Sequence, residues 1–158
     1  MIGKSIIGFS RAASNGRTFN AVDPSTGHNL EPAFHFASSE EVNLAVRLAA
    51  EAFEAYARAT GRQKGILLSK IAANIEDTSD DLVVRASQET ALPPARIKNE
   101  IARTCNQLRL FAELVEEGSW VDARIDRGDP TRTPLPKPDV RSMLQPLGPV
   151  AVFGASRV

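Results

Sequence analysis

The chain has 158 residues, with 19 basic and 19 acidic side chains and a pI near 6.7, a balance that excludes nucleic-acid or anionic-membrane binding driven by bulk charge. Hydrophobic residues make up 42% and charged residues 24%, the composition of a folding chain rather than a disordered one. The single cysteine, Cys105, excludes an internal disulfide and a multi-thiolate zinc site, and the expectation is a reducing compartment, the cytoplasm.

Residues 1–11 offer only Lys4 and the pair Ile6-Ile7, too little for a secretory core. No run approaches the roughly 20 apolar residues of a membrane span, so no membrane partner is expected. Across 17–37 short apolar pieces (Phe19, Val22; Leu30, Phe34, Phe36) flank Asp23-Pro24-Ser25-Thr26-Gly27. Pro24 presets φ in a turn and Gly27 accepts a conformation other residues resist, so the stretch predicts a β-hairpin. Ser38 with Glu41 three residues on has capping-box spacing and predicts a helix start.

Val42, Ala45, Val46, Ala49, Phe53 and Tyr56 recur at three- and four-residue spacing and share one helix face. Gly61 is expected to close that helix as a left-handed cap. A second amphipathic run carries Leu67, Leu68, Ile71, Ala72 and Ile75. A third opens at Ser79-Asp80-Asp81, where acidic residues suit the helix dipole, and carries Leu82, Val83 and Ala86. Pro93-Pro94 stops it and opens the fourth. That helix runs through Ile97, Ile101, Thr104, Leu108, Phe111, Ala112 and Val115 to Gly118, about 24 residues and roughly 36 Å. Residues 38–118 are thus expected to be helical.

From Asp122 to Asp139 charges and four prolines (Pro130, Pro134, Pro136, Pro138) take over, predicting an extended, polyproline-like arm without a core. Trp120 is expected to pack the arm's root onto the long helix. Past Gln145-Pro146-Leu147-Gly148-Pro149 comes the continuous apolar run Val150-Ala151-Val152-Phe153, closed by Gly154. Such a run is the signature of a strand buried on both faces of a parallel sheet. The sequence given ends five residues later, so it shows no crossover helix and second strand, and the expectation is a chain that is cut off.

Few side chains invite a catalytic reading. Cys105 falls inside the fourth helix and reads as a small buried thiol rather than a nucleophile. Asp23, Ser25, His28 and His35 assemble into a triad only on paper, since turn chemistry accounts for the first two. Glu76, Asp77, Asp80 and Asp81 lack the loop spacing of a calcium site and read as solvated helix-end charge. The arm's Arg124, Arg127, Arg132 and Lys137 are balanced by Asp122, Asp126, Asp129 and Asp139, which favours a backbone-mediated contact over phosphate binding.

The order of these pieces is itself informative: Phe19 to Gly27, an alanine-rich helix around Ala49 to Phe53, Glu89-Thr90, then Pro146-Leu147-Gly148-Pro149-Val150-Ala151-Val152-Phe153-Gly154-Ala155-Ser156. It resembles the N-terminal part of the aldehyde dehydrogenase superfamily over residues 5 to 156. Its last stretch is most similar to the NADP-preferring branch that oxidises 2,5-dioxopentanoate (α-ketoglutarate semialdehyde) to 2-oxoglutarate. Members of the family run to about three times this length.

The resemblance implies an α/β fold class: a mostly helical segment with a β-hairpin, an extended oligomerisation arm over 122–145, and the first strand of an incomplete Rossmann-like sheet over 149–158. It implies NADP or NAD as cofactor and a small aldehyde as substrate for the full-length family, with a homo-oligomer formed through the arm. Phe153, Gly154, Ala155 and Ser156 match the loop along the cofactor's ribose and nicotinamide side, at the place where open α/β sheets bind ligands. The family's next residue is an asparagine of the oxyanion hole, where this chain has Arg157 and then Val158, whose guanidinium does not replace a placed amide.

The family's catalytic cysteine, general-base glutamate, cofactor-phosphate lysine and glycine-rich turn all fall beyond residue 158. No catalytic residue, no metal and no bound cofactor are therefore expected of this chain alone. The rival expectation is a non-catalytic helical interaction module that pairs with another dehydrogenase subunit, its unpaired apolar strand edge serving as a template for strand addition.

Overall fold

A computed structural model describes residues 2–12 and 16–154. The chain opens with two minimal antiparallel strands, β1 (Ile6–Ile7) and β2 (Ser10–Arg11), turned through Gly8 at φ +59°. A hairpin follows, β3 (Thr18–Val22) with β4 (Asn29–His35), paired from Thr18↔His35 to Val22↔Asn29. Its turn is an Asx turn: Asp23 Oδ1 accepts from the Ser25 N–H at 2.8 Å and the Ser25 hydroxyl at 2.5 Å, and Gly27 takes φ +73°. Between Phe19 and Ala21 the register shifts, so β4 bulges around Pro32, where a residue without an N–H breaks no ladder bond. The Asn20 side chain donates to the Leu30 carbonyl at 3.1 Å across the bulge.

Four helices form the body: α1 (Ser39–Ala57), α2 (Gly61–Asp77), α3 (Ser79–Thr90) and α4 (Pro94–Glu117). Ser38 caps α1 with both halves of the capping box in place, the Ser38 N–H to Glu41 Oε2 at 2.9 Å and the Glu41 N–H to Ser38 Oγ at 3.2 Å. The 24 residues of α4 run from the proline pair to Gly118, which closes it at φ +86°.

Gly61 does not end α1. That helix stops at Ala57 with Arg58 as its cap, and Gly61 is the first residue of α2. The reason lies one residue upstream, where Thr60 and Gln63 make a second capping box (Thr60 N–H to Gln63 Oε1 at 2.8 Å, Gln63 N–H to Thr60 Oγ1 at 3.2 Å). Gly61 is small for packing rather than for φ: a Cβ there would collide with the Val115 carbonyl oxygen at the far end of α4.

The core lies where α2 and α3 pack on α4. Ala72, Val83, Ile97, Cys105 and Ala112 are its buried apolar residues. Helices α2 and α4 run antiparallel and close, since Gly61, Gly65 and Ala72 on one face Val115, Glu116 and Cys105 on the other. A bidentate ion pair from Arg109 to Glu76, at 2.7 and 2.6 Å, ties the end of α2 to α4. Arg85 on α3 fastens the hairpin to the body, donating to the Glu31 carbonyl in the bulge and to Glu89 at 2.5 Å, with its guanidinium over the Phe34 ring.

Helix α1 stands apart from this core and buries no residue fully. Its half-buried side is the one with Leu44 and Leu48, the latter against Gly8 of the β1–β2 turn. The stripe that periodicity picks out, with Val42, Val46 and Tyr56, faces solvent.

Beyond a single 3-10 turn (Ser119–Val121), the arm corrects a second expectation. It is not one polyproline-like strand but a hairpin folded on itself, β5 (Arg124–Asp126) antiparallel to β6 (Val140–Ser142), extended by the bridge Asp129↔Lys137. Lys137 to Asp126 at 2.5 Å and an Asx turn at Asp129, which accepts from Thr131, hold the returning limb. The prolines sit in and beside the loop at its tip, where no ladder N–H is asked of them.

Candidate functional site

The residues that the sequence offers for ligand binding lie at the end of the described chain. The Leu144 N–H donates to the Val121 carbonyl at 2.8 Å and so ties the segment to the arm's root. Trp120 and Val121 share a cleft of about 320 Å³ there with Gly61, Glu116, Met143 and Leu144, and Trp120 is half-buried in it. Gly148, at φ +107°, then swings the chain against α1. Gly148 and Pro149 close a small cleft of about 190 Å³ over Ala49, Ala52, Phe53 and Tyr56. The turn needs a glycine because only its missing Cβ permits that φ without strain.

Past Pro149 the run Val150–Phe153 leaves the body. It forms no strand, and Val152 and Phe153 are 88% and 92% exposed. A strand exists only through its neighbours, and the three sheets among the described residues are two-stranded hairpins that do not include it. Of the cofactor-loop residues singled out, Phe153 and Gly154 are therefore open to solvent, while Ala155 and Ser156 lie outside the described residues. Nothing described around Phe153 and Gly154 supplies a second parallel strand or a helix N-terminus to receive a pyrophosphate.

The other tempting groups have structural partners. Cys105 is 0% exposed, and its Sγ lies 3.6 Å from the Ala72 carbonyl oxygen, to which it donates inside the α2–α4 contact. Ser25's hydroxyl donates to Asp23 rather than to a histidine, and that bond holds the Asp23 carboxyl below its ordinary pKa. His28 sits in the same turn, its backbone N–H donating to Thr26 Oγ1 at 3.3 Å, and His35 donates its backbone N–H to the Gly3 carbonyl. Glu76 is held below its ordinary pKa by the hydrogen bond from Arg109, so the acidic cluster is an ion-pair end rather than a cation cage. Among the described residues no group of three His, Cys, Asp or Glu side chains is arranged to hold a metal ion, and no helix is long and apolar enough to cross a membrane.

A groove of about 630 Å³ lies on the arm between Ile125, Arg127, Lys137 and Arg141. Lys137 is paired with Asp126 and Arg141 with Asp139. Two features escape a reading of spacing alone. The Arg85–Glu31 tie joins residues 54 positions apart and shows in the sequence only as the local Arg85–Glu89 pair. The inward turn of Leu44 and Leu48 was hidden because α1 carries two apolar faces, and periodicity marks the larger.

Comparison with known proteins gives these features a context. The model of the aldehyde dehydrogenase family matches residues 11–155. Alpha-ketoglutaric semialdehyde dehydrogenase 2 of Azospirillum brasilense is 42% identical over 157 residues, which are 99% of this chain and 30% of that protein. The alpha-ketoglutaric semialdehyde dehydrogenase of Acinetobacter baylyi is 40% identical over 154 residues, 98% of this chain and 29% of that one. In fold, the crystal structure of succinate-semialdehyde dehydrogenase from Burkholderia pseudomallei superposes with a TM-score of 0.71 at 24% identity, over 80% of this chain and 26% of its own. The chain spans about 30% of the length of the curated relatives it matches.

Proposed function

We propose, from the premise that this chain belongs to the aldehyde dehydrogenase family, that it serves the NAD(P)-linked oxidation of 2,5-dioxopentanoate to 2-oxoglutarate. Its part is the helical scaffold and the first cofactor-sheet strand of such an enzyme, not the chemistry. The observation that carries the substrate is the 42% identity, sustained over 99% of the chain, with a relative named for this semialdehyde.

In such an oxidation a thiolate attacks the aldehyde, hydride leaves to the nicotinamide, and an activated water releases the acid. The chain's one cysteine is closed inside the α2–α4 contact, so it cannot meet an aldehyde, and the nucleophile comes from elsewhere. When the sheet is completed beside Val150–Phe153, the loop Phe153, Gly154, Ala155 and Ser156 lines the cofactor, its small residues letting backbone approach the ligand. The arm hairpin is the element we assign to oligomer contact, because its two strands form a sheet of their own whose outer edges no other described strand pairs.

Two assays test the reading. The isolated chain, incubated with 2,5-dioxopentanoate and either NADP or NAD, is expected to form no reduced cofactor and to show no calorimetric binding of either nucleotide. A chimera in which residues 5–156 of this chain replace the matching segment of the Azospirillum relative, which keeps its own residues beyond that segment, is expected to oxidise the semialdehyde. Turnover by the chain alone overturns the scaffold role. A folded chimera that is active on other aldehydes but not on this one overturns the substrate.

A further inference from the structure

We propose that Arg85 is the latch of the β3–β4 hairpin: when its guanidinium lets go, the hairpin opens from α3 as one unit while the helical core stays folded. The contacts that carry it lie within the described chain and are independent of the aldehyde dehydrogenase reading above.

The apolar residues fall into two clusters. Ala72, Val83, Ile97, Cys105 and Ala112 are buried among the helices, whereas the rings of the hairpin stack on one another, Phe19 on Phe34 at 5.6 Å and on Phe36 at 5.0 Å between centroids. Helix α3 packs on β3, and Arg85 bridges the two clusters. Its guanidinium covers the Phe34 ring at 5.7 Å, its Nη1 donates to the Glu31 carbonyl, and its Nε donates to Glu89 at 2.5 Å. Only 14% of the side chain is exposed, so these contacts act where water competes weakly. A planar fork makes all three at once, which a lysine ammonium cannot.

The two elements that Arg85 joins are also the ones left imperfectly satisfied, and that makes the joint releasable. Among the described residues three buried side-chain polar atoms lack a hydrogen-bond partner: Arg85 Nη2, Ser87 Oγ and His35 Nδ1. All three belong to α3 or β4, and none to α2 or α4. An unmet buried donor or acceptor regains water on opening, which lowers the cost of opening there. Between α2 and α4, by contrast, the Cys105 thiol and the Arg109 guanidinium both have partners. A two-stranded hairpin is marginal by itself, so once released its backbone is open to exchange. Proteins open in contiguous units of this kind, at free energies from near zero up to that of global unfolding.

Native-state hydrogen exchange on the chain reads both units. The Asp23 N–H, bonded to the His28 carbonyl at 2.9 Å, and the Phe36 N–H, bonded to the Arg17 carbonyl at 3.0 Å, close the hairpin at its turn and at its open end. The amides of Ala72 and Cys105 lie inside α2 and α4 and report the core. In the unaltered chain the two hairpin amides are expected to share one opening constant, at least about 10-fold larger than that of the core amides. Arg85→Gln should raise it about 10-fold or more, and Arg85→Lys nearly as much. The core amides and the thiol reactivity of Cys105 should not change in either variant, which separates undocking from misfolding.

Equal acceleration of hairpin and core amides in Arg85→Gln overturns the proposal, because Arg85 then supports the global fold. Hairpin amides that are unchanged in that variant do the same, as do hairpin amides that open independently of each other in the unaltered chain. Full protection in Arg85→Lys overturns the fork as the holding device, since charge alone would then suffice.

Discussion

A methyl group added at Gly61 and one added at Gly65 meet different obstacles. At Gly61 it lands on the Val115 carbonyl oxygen, part of the α4 backbone, whereas at Gly65 it comes within 2.5 to 2.8 Å of the Glu116 side chain, which is exposed and can swing away. Replacing glycine by alanine inside a helix gains about 1 kcal/mol of propensity, and overpacking against fixed atoms costs about 1–3 kcal/mol. Gly61→Ala is therefore expected to destabilise, because backbone cannot yield cheaply and the first helical position gains little. Gly65→Ala is expected to be neutral or stabilising. Parallel urea melts decide the matter, and equal shifts of the same sign would show that the α2–α4 spacing adjusts freely.

The Glu76–Arg109 pair gives a pH signature at the same scale. Its hydrogen bond lowers the Glu76 pKa below 4.5 in the folded chain, so the unfolded state takes up a proton first as pH falls. The stabilisation is complete above pH 4.5 and disappears as pH drops through the lowered value. Melting temperature should fall more steeply below pH 4.5 in the unaltered chain than in Glu76→Gln. Matching slopes would mean that this exposed pair contributes nothing, as many do not.

At the scale of elements, the parts written into neighbouring residues were legible and the parts that depend on distant ones were not. The Ser38–Glu41 cap, the Asp23–Gly27 turn and the span of α4 from its proline pair to Gly118 each follow from spacings of five residues or fewer at their ends. The Thr60–Gln63 cap has the same spacing, yet Gly61 drew attention as a stop signal when its role is to admit the Val115 carbonyl, a fact about α4. The arm's return pairs Arg124 with Ser142 across a long loop without a tight-turn signature, so prolines alone suggested an unpaired strand. The α1 stripe was read correctly as apolar, but a period of 3.6 says which residues share a face, not whether this chain covers it. Of the candidate site, the openness of Phe153 and Gly154 was not readable, because it depends on what stands beside the run rather than on the run itself. Capping offers a clean check: Ser38→Ala removes the acceptor for the Glu41 N–H and is expected to cost about 1 kcal/mol, read as a lower denaturant midpoint with unchanged slope. No shift would mean that α1 adds nothing to the cooperative unit, which its lack of fully buried residues makes worth asking.

For the whole molecule, surface is the quantity that links fold to function. A 17.1 kDa chain exposes roughly 24,800 Å² when unfolded, by linear scaling with mass. It still exposes 12,504 Å² when folded, so folding buries about half, against about 68–70% for a self-contained domain of this length. Since the urea m-value tracks the area exposed on unfolding, it should be about a quarter below that of an ordinary 158-residue domain. A low m-value has a rival cause, loss of two-state behaviour, in which α1 and the arm melt before the α2–α3–α4 core. Probes at separate places distinguish the two: fluorescence of Trp120 reports the arm's root, and reactivity of Cys105, sealed between α2 and α4, reports the core. Coincident transitions with a low slope mean one cooperative unit that buries too little surface for its length. A normal slope would mean that the apolar face of α1 is already covered in solution, and self-association would then be the first property to measure.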